Sequence, residues 1–396
     1  MKVALVLFDW FPHGGLQRDC LRIGLGLMKQ GVAVDVICMT WEGPVPGGIK
    51  RVMPAISSPG NTLIGRFFSS KVAKRKAFAQ FVAQQKAREN YDAVLGFNRV
   101  PGLDYYFAAD TCFAWKATRE RNYLYRLSSR SRQYLQFEKS VFDEQSKAKI
   151  LILSPGQKNE YLACYPASAG RIIDIPPGIE RNRMAGEDAD DLRHSLRHEF
   201  GLADDQLLVL QVGSGFPIKG VDRSLAALSS LPAELKNKTR LFIIGRDKSG
   251  RYEKMAQQLG IAANVTFFKS RDDLPRFFQG ADLLLHPSYK ESAGMVILEA
   301  IVAGLPVLTT AACGYAFHVE QANAGIVVAD PFSQNALNQN FRAMLDSDEK
   351  SQWKEAGIRY GKNADLYEMP ETVASFIAED IAANNAARLK EESHAS

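Results

Sequence analysis

Two glutamates, Glu291 and Glu299, stand with seven residues between them in the stretch Ser288–Gly304, S-Y-K-E-S-A-G-M-V-I-L-E-A-I-V-A-G. In a helix rising about 1.5 Å per residue, Glu299 falls several ångströms below the start, so the two carboxylates cannot act on one atom. They can instead hold hydroxyl groups at two points of one extended ligand. The Leu-rich run Ala281–His286 reads as a buried parallel strand stopped by Pro287, Lys290–Ala293 as a loop, and Gly294–Ala303 as a helix. The amides of Ala293, Gly294 and Met295 then face outward at the positive end of that helix, a place for a phosphate, and Gly294 admits close approach. A sugar, a diphosphate and a ribose fit this layout. Taken alone, the E-x7-E spacing is explained better by an ordinary surface helix, and the surroundings must decide.

Other polar residues sit at similar addresses. Gly14-Gly15 joins the strand Lys2–Phe8 to an amphipathic helix Leu16–Lys29, with Asp19 one turn in. The loop is not G-x-G-x-x-G, so a tight turn explains it as well as a phosphate site does. Asp110 follows the strand Tyr105–Ala109, and the C-terminal end of a strand is a catalytic address in α/β sheets. After the strand Leu207–Val212 comes the glycine loop Gly213–Gly220 with Lys219, a weak phosphate signal by itself because G-x-x-x-x-G-K-[ST] is absent. Asp188-Ala189-Asp190 and Asp346-Ser347-Asp348 match D-x-D away from strand ends, and His13, His286 and His318 lack ligand spacing. No essential metal is expected.

These loops need strands and helices to hold them. Strands at Val32–Met39, Asp92–Phe97 and Ile150–Ser154, the last read as closing the first domain, and further strands at Arg240–Gly245, Val265–Phe268 and Pro306–Thr310, alternate with helical segments such as Arg66–Arg88 and Tyr252–Leu259. That alternation predicts parallel sheets. A chain of 396 residues exceeds what one hydrophobic core serves, and Pro176-Pro177-Gly178 breaks it. The expected division is 1–178 and 179–372. No apolar run reaches the ~20 residues of a membrane span, and the N-terminus enters a strand directly, which predicts a cytosolic protein. Five scattered cysteines read as thiols without a disulfide or zinc framework.

Charge divides unevenly. Residues 1–178 carry 25 Lys/Arg against 14 Asp/Glu, the rest 24 against 30, so a basic half with an anionic partner precedes an acidic half. No zinc-finger spacing or aromatic RNA-binding strand points to nucleic acid. In Phe113–Phe142, Trp115, Tyr123, Tyr125, Tyr134 and Phe137 alternate with Lys116, Arg119, Arg121, Arg126, Arg130, Arg132 and Lys139, with only Glu120 and Glu138 as acids. Leu124, Leu127, Tyr134, Leu135, Val141 and Phe142 fall near one helical face. Such a segment suits an anionic membrane surface, though a core helix with a solvated basic face shares the pattern.

The chain resembles the retaining glycosyltransferases of family 4, and within them the enzymes of the lipopolysaccharide core. The resemblance rests on the E-x7-E stretch, F-P-H-G-G-L-Q-R-D at Phe11–Asp19, P-P-G-I at Pro176–Ile179, K-G-V-D-R-S at Lys219–Ser224 and G-L-P-V-L-T-T-A-A-C-G-Y at Gly304–Tyr315, and runs nearly end to end. It implies an α/β GT-B fold, two Rossmann-like doubly wound domains facing across a cleft, with an acceptor-binding first domain completed by a C-terminal helix at 373–396 and a nucleotide-sugar domain at 179–372. It implies transfer of a hexose, glucose by default, from a UDP-sugar to an inner-core heptose with retained configuration. Glu291 would bind sugar hydroxyls, Glu299 the ribose, and Lys219 the departing diphosphate, with Gly15, Arg183, Ala293, Gly294, Met295 and Val296 also at the donor and Asp19 and Asp110 as further catalytic candidates. Two departures stand out. Ser214 occupies the place of a family arginine, leaving Arg183 or Arg223 to compensate, and Asp110 lies where many relatives carry histidine.

The resemblance also favours the membrane reading of 113–142, because such enzymes glycosylate a lipid-anchored acceptor on the cytoplasmic face. The expected partners are a UDP-hexose, the lipopolysaccharide inner core and an anionic membrane, with no nucleic acid and no cofactor beyond the sugar nucleotide. The alternatives are a UDP-hexosamine transferase, an α/β binding protein or sugar-phosphate isomerase, and a non-enzymatic membrane-binding protein.

Overall fold

The computed structural model describes residues 1–12, 14–54 and 71–395, so His13 and the start of the helix expected from Arg66 lie outside the described residues. The chain divides into Met1–Gly178 with Glu368–Ser396, and Ile179–Tyr367. The return to the first unit comes at Glu368 rather than 373.

In the first unit, strands β1 (Lys2–Val6), β3 (Ala33–Ile37), β5 (Lys50–Val52), β6 (Ala93–Gly96), β7 (Tyr105–Ala108), β8 (Lys149–Ile152) and β9 (Ile172–Asp174) form one sheet in the order β5-β3-β1-β6-β7-β8-β9. Strands buried on both faces lose the alternation of polar and apolar residues, and β1 and β6 are accordingly apolar almost throughout. A two-stranded ribbon, β2 (Asp9–Trp10) with β4 (Thr40–Trp41), continues beyond β1 and β3, its tryptophans stacked at 4.4 Å. The expected closing strand, Ile150–Ser154, is followed by another. Pro155–Cys164 is a helix and Ile172–Asp174 pairs with β8, so the segment from Tyr161, which reads in sequence as the start of a linker, still belongs to the sheet domain.

One face of this sheet is covered by the helix Gly15–Lys29 and the terminal helix Met369–Ala395: Cys20, Ile23 and Leu27 share a core with Val373, Ile377 and Ile381. Each such buried aliphatic side chain contributes about 1.5–3 kcal/mol. Asp380 fastens the terminal helix further, accepting from Tyr105 Oη and Lys149 Nζ, each at 2.5 Å. The opposite face buries Phe78 and Val82 of the helix Lys71–Glu89 together with Phe137, Val141 and Phe142.

In the second unit, β10 (Leu207–Val212), β11 (Thr239–Ile244), β12 (Val265–Phe268), β13 (Leu283–His286), β14 (Val307–Thr310) and β15 (Gly325–Val328) form a parallel sheet in the order β12-β11-β10-β13-β14-β15. The strand β15 and the helix Ala316–Ala322 before it go beyond the strand Pro306–Thr310 expected in this region. The order reverses direction between β10 and β13, and between β1 and β6 in the first unit. In doubly wound sheets ligands bind beyond the strand C-termini at that reversal. No helix among the described residues is long and apolar enough to cross a membrane.

Candidate active site

Lys219 and Glu291 come from the two loops that leave β10 and β13 at the reversal point of the second unit, and their side chains form an ion pair. Each keeps some contact with solvent, at 16% and 18% exposure. Gly220 makes the approach of the loops possible: its φ is +69°, and a Cβ there would lie 2.2 Å from the carbonyl oxygen of Pro287. Arg223 ties the same loops together from outside. Its guanidinium lies between the rings of Tyr289 and Phe332, 3.6 and 3.5 Å from their centroids, and donates to the carbonyls of Pro287 and Ser288. Arg223 therefore braces the loop. Ser214 accepts a hydrogen bond from the Arg246 amide.

The second oxygen of Glu291 faces His286, whose Nε2 lies 2.7 Å from Oε2, and the Ser288 hydroxyl is 3.1 Å from the same nitrogen. Burial alone would raise the Glu291 carboxyl, but the Lys219 and His286 charges outweigh it and hold the group well below the usual carboxylate range. For His286 the balance runs the other way. Burial opposes its charge, yet Glu291 and Cys313 push the imidazole up to about 9. Glu291 is thus an ionised carboxylate with a cationic partner at each oxygen, and its remaining lone pairs are open to hydroxyl donors.

The helix of this site spans Met295–Val302, with Gly294 as its N-cap at φ +96°, a left-handed conformation suited to glycine. Ala293 is buried, and Met295 and Val296 are half-buried on the first turn. Glu299, in the second turn, is only 7% exposed in its side chain, and its Oε1 lies 3.5 Å from Arg183 Nε. Arg183 also reaches Glu180 at 3.2 Å, so a short acidic-basic-acidic chain links the segment after Gly178 to the helix. Arg183, Lys219, Glu291, Ala293, Gly294, Met295, Val296 and Glu299 all belong to the second unit.

Gly15, Asp19 and Asp110 belong to the first. Gly15 opens the helix after β1, and a Cβ there would meet no atom within 4 Å. Asp19 is buried, one turn along. Asp110 stands past the end of β7, half-exposed, with Arg99 Nη2 3.6 Å from its carboxylate and its own carbonyl held by Gln157 and Tyr161. No local pattern points to Arg99, which sits just after β6 beside the reversal point.

The basic, aromatic stretch is several short helices, not one: Phe113–Trp115, a π-helical turn Lys116–Glu120, Tyr123–Leu127 and Ser129–Phe142. The single apolar face expected from Leu124 to Phe142 is therefore split. Val141 and Phe142 are in the core, while Tyr123, Leu124 and Leu127 are 65%, 72% and 49% exposed. Arg126 lies over Tyr123 and Arg121 over Tyr125, which sets cations beside the exposed apolar group.

The D-x-D matches lie at a helix start and a helix end. Among the described residues, one group could hold a metal ion: a ligand atom each from His286, Glu291 and Cys313 lies within 4.8 Å of the others. Sequence spacing hid it, because the strands that carry His286 and lead to Cys313 are neighbours only in the sheet.

Residues 193–360 match the family described as "Glycosyl transferases group 1". Over 378 residues the chain is 41% identical to the lipopolysaccharide glucosyltransferase WaaG of Escherichia coli (strain K12), covering 95% of this chain and 98% of that protein. The crystal structure of WaaG, a glycosyltransferase involved in lipopolysaccharide biosynthesis, matches with a TM-score of 0.89 over 95% of this chain and 99% of that one. Anabaena Alr3699/HepE, solved with UDP-glucose, shares the fold at 17% identity, with a TM-score of 0.71 over 96% of this chain and all of that one.

Proposed function

The chain belongs to the glycosyl transferases group 1 family, has the GT-B fold and is a hexosyltransferase, and we propose that it moves glucose from UDP-glucose to an inner-core heptose of lipopolysaccharide. The observation that carries this reading is the 41% identity to a lipopolysaccharide glucosyltransferase along almost the whole of both chains. The acids and cations of the second unit give it a physical basis.

In this reading Glu291, ionised and held by Lys219 and His286, accepts hydrogen bonds from the hydroxyls of the donor sugar. Glu299 accepts from the ribose diol, sharing its charge between that diol and Arg183. As the bond between the anomeric carbon and the diphosphate oxygen breaks, negative charge grows on the diphosphate. Lys219 and the amides of Gly294 and Met295 at the helix start meet it, and these are fixed donors that need no reorganisation. The acceptor hydroxyl attacks from the face the diphosphate leaves and gives its proton to a phosphate oxygen, so configuration is retained without a protein nucleophile. No metal enters these steps. Asp19 and Asp110 are assigned to the acceptor side, and Gly15 to a close backbone approach to the donor.

The enzyme works at the cytoplasmic face of the inner membrane, with the exposed Tyr123, Leu124 and Leu127 at the lipid interface and the surrounding arginines among anionic headgroups. The test is transfer from a panel of UDP-sugars to a heptose-containing core lipid, with UDP binding followed by calorimetry. Glucose transfer is the expected result. Transfer of a hexosamine in its place changes the sugar assigned, and absence of UDP binding at millimolar concentration removes the whole reading.

A further inference from the structure

We propose that His286, Glu291 and Cys313 form an inhibitory site for a thiophilic divalent cation of the zinc class. Its effect on turnover rests on the reading of Glu291 as the donor-sugar carboxylate; binding of the cation does not.

The donor set is a nitrogen, an oxygen and a sulfur, the mixture that zinc accepts in tetrahedral sites and that magnesium and calcium do not use. It is also held in place. Glu291 and Cys313 are joined through the backbone, with the Glu291 amide donating to Ala312 and the Gly314 amide donating to Glu291, both at 3.0 Å. The Thr309 hydroxyl, which donates to the His286 carbonyl at 2.9 Å, lies 3.4 Å from the Cys313 sulfur and so ties the His286 backbone to the Cys313 side chain. The Ser288 hydroxyl, 3.1 Å from His286 Nε2 and 3.4 Å from Glu291 Oε2, offers a fourth donor atom, an oxygen.

The three ligands are also enclosed: the His286 ring is fully buried and Cys313 is 3% exposed, so a cation held there is shielded from water. On binding, the thiol and imidazole release the protons the metal replaces, and the Glu291 oxygen that faced His286 takes the cation while Lys219 stays at the other. A Glu291 carboxylate held by a metal no longer accepts from sugar hydroxyls, which turns the donor site off.

The experiment is a titration of the whole purified chain with Co²⁺, without chelator or added thiol. Thiolate-to-cobalt charge-transfer absorption that saturates at one equivalent is expected, with its loss in Cys313→Ala and His286→Gln and its retention in Cys164→Ala. Circular dichroism and UDP calorimetry on each variant establish that it is folded, and Cys313→Ser serves if the alanine variant is not. Stoichiometric Zn²⁺ should abolish sugar transfer by the wild type and spare it in Cys313→Ala, and Mg²⁺ should do neither. Absence of the band in the wild type, or its persistence in folded Cys313→Ala, overturns the site. A cobalt band in a protein that binds no UDP leaves the site standing and removes the donor-sugar reading instead.

Discussion

The guanidinium of Arg99 pairs with the carboxylate of Glu138 inside the first unit, where the two side chains are 6% and 0% exposed. The Glu138 carboxylate also accepts from the amides of Phe113 and Ala114, both at 2.7 Å, and from the Tyr165 hydroxyl at 3.1 Å. One buried acid therefore neutralises a buried cation and starts the first helix of the basic, aromatic segment. Glu138→Ala leaves the buried Arg99 charge with only the half-exposed Asp110, 3.6 Å away, and should cost about 3 kcal/mol in urea unfolding. The double variant Arg99→Met with Glu138→Leu should regain much of that loss. Equal instability of the single and double variants would show that the pair is not the cause.

Glu299 is assigned to the ribose, and its removal should act on the nucleotide more than on the sugar. A hydrogen bond to a charged group is worth about 1.5–3 kcal/mol, so Glu299→Ala should weaken UDP binding roughly tenfold to a hundredfold by calorimetry. Arg183→Ala leaves the carboxylate in place and should weaken it less. Unchanged UDP affinity in Glu299→Ala would return this residue to the role of an ordinary helix glutamate.

The His286 and Glu291 pair sets the direction of a pH effect. The folded protein raises the imidazole to about 9 from an ordinary value of about 6.5. Its contribution to stability is then complete below about 6.5 and disappears as pH climbs through 9. Glu291, shifted downward, contributes above the ordinary carboxylate range and loses that contribution only in strong acid. The margin in urea midpoint between wild type and His286→Gln should therefore shrink between pH 6.5 and 9.5. A margin independent of pH would mean that the imidazole stays neutral.

Membrane attachment should depend on a small patch. Leu124→Asp with Leu127→Asp should release the protein from vesicles containing anionic lipid in a sedimentation assay. Replacing Arg121 or Arg126 with alanine should weaken binding about fivefold for each charge, at about 1 kcal/mol per cation near an anionic leaflet. Binding to neutral vesicles that equals binding to anionic ones would exclude the headgroup role of the arginines.

The sequence made part of this molecule readable for physical reasons. The apolar run before Pro287 and the helical spacing after Gly294 mark a strand, a loop and a helix, so Glu291, Glu299 and the helix start could be placed from local pattern alone. Lys219 needed its glycine loop and the family resemblance. What stayed hidden was set by the sheets. His286 and Cys313 meet because β13 and β14 lie side by side, with His286 opposite Thr309, and no local pattern reports that. Arg99 and Glu138 join a strand end to a distant helix. A clue existed, since Glu138 shares a helical face with Tyr134, Val141 and Phe142, an unusual place for an acid in a stretch of basic residues. The strand Ile172–Asp174 is three residues long, too short to carry a periodicity.

The second unit runs uninterrupted from Ile179 to Tyr367, whereas the first is assembled from both ends of the chain. A gene fragment encoding 179–367 should yield a soluble fragment on its own. A fragment stopping at 178 would leave Cys20, Ile23 and Leu27 without the side chains of Val373, Ile377 and Ile381. During synthesis, then, the sheet made first waits for the helix Met369–Ala395 to leave the ribosome before its surface is closed, and a stop before Met369 harms a part of the protein already made.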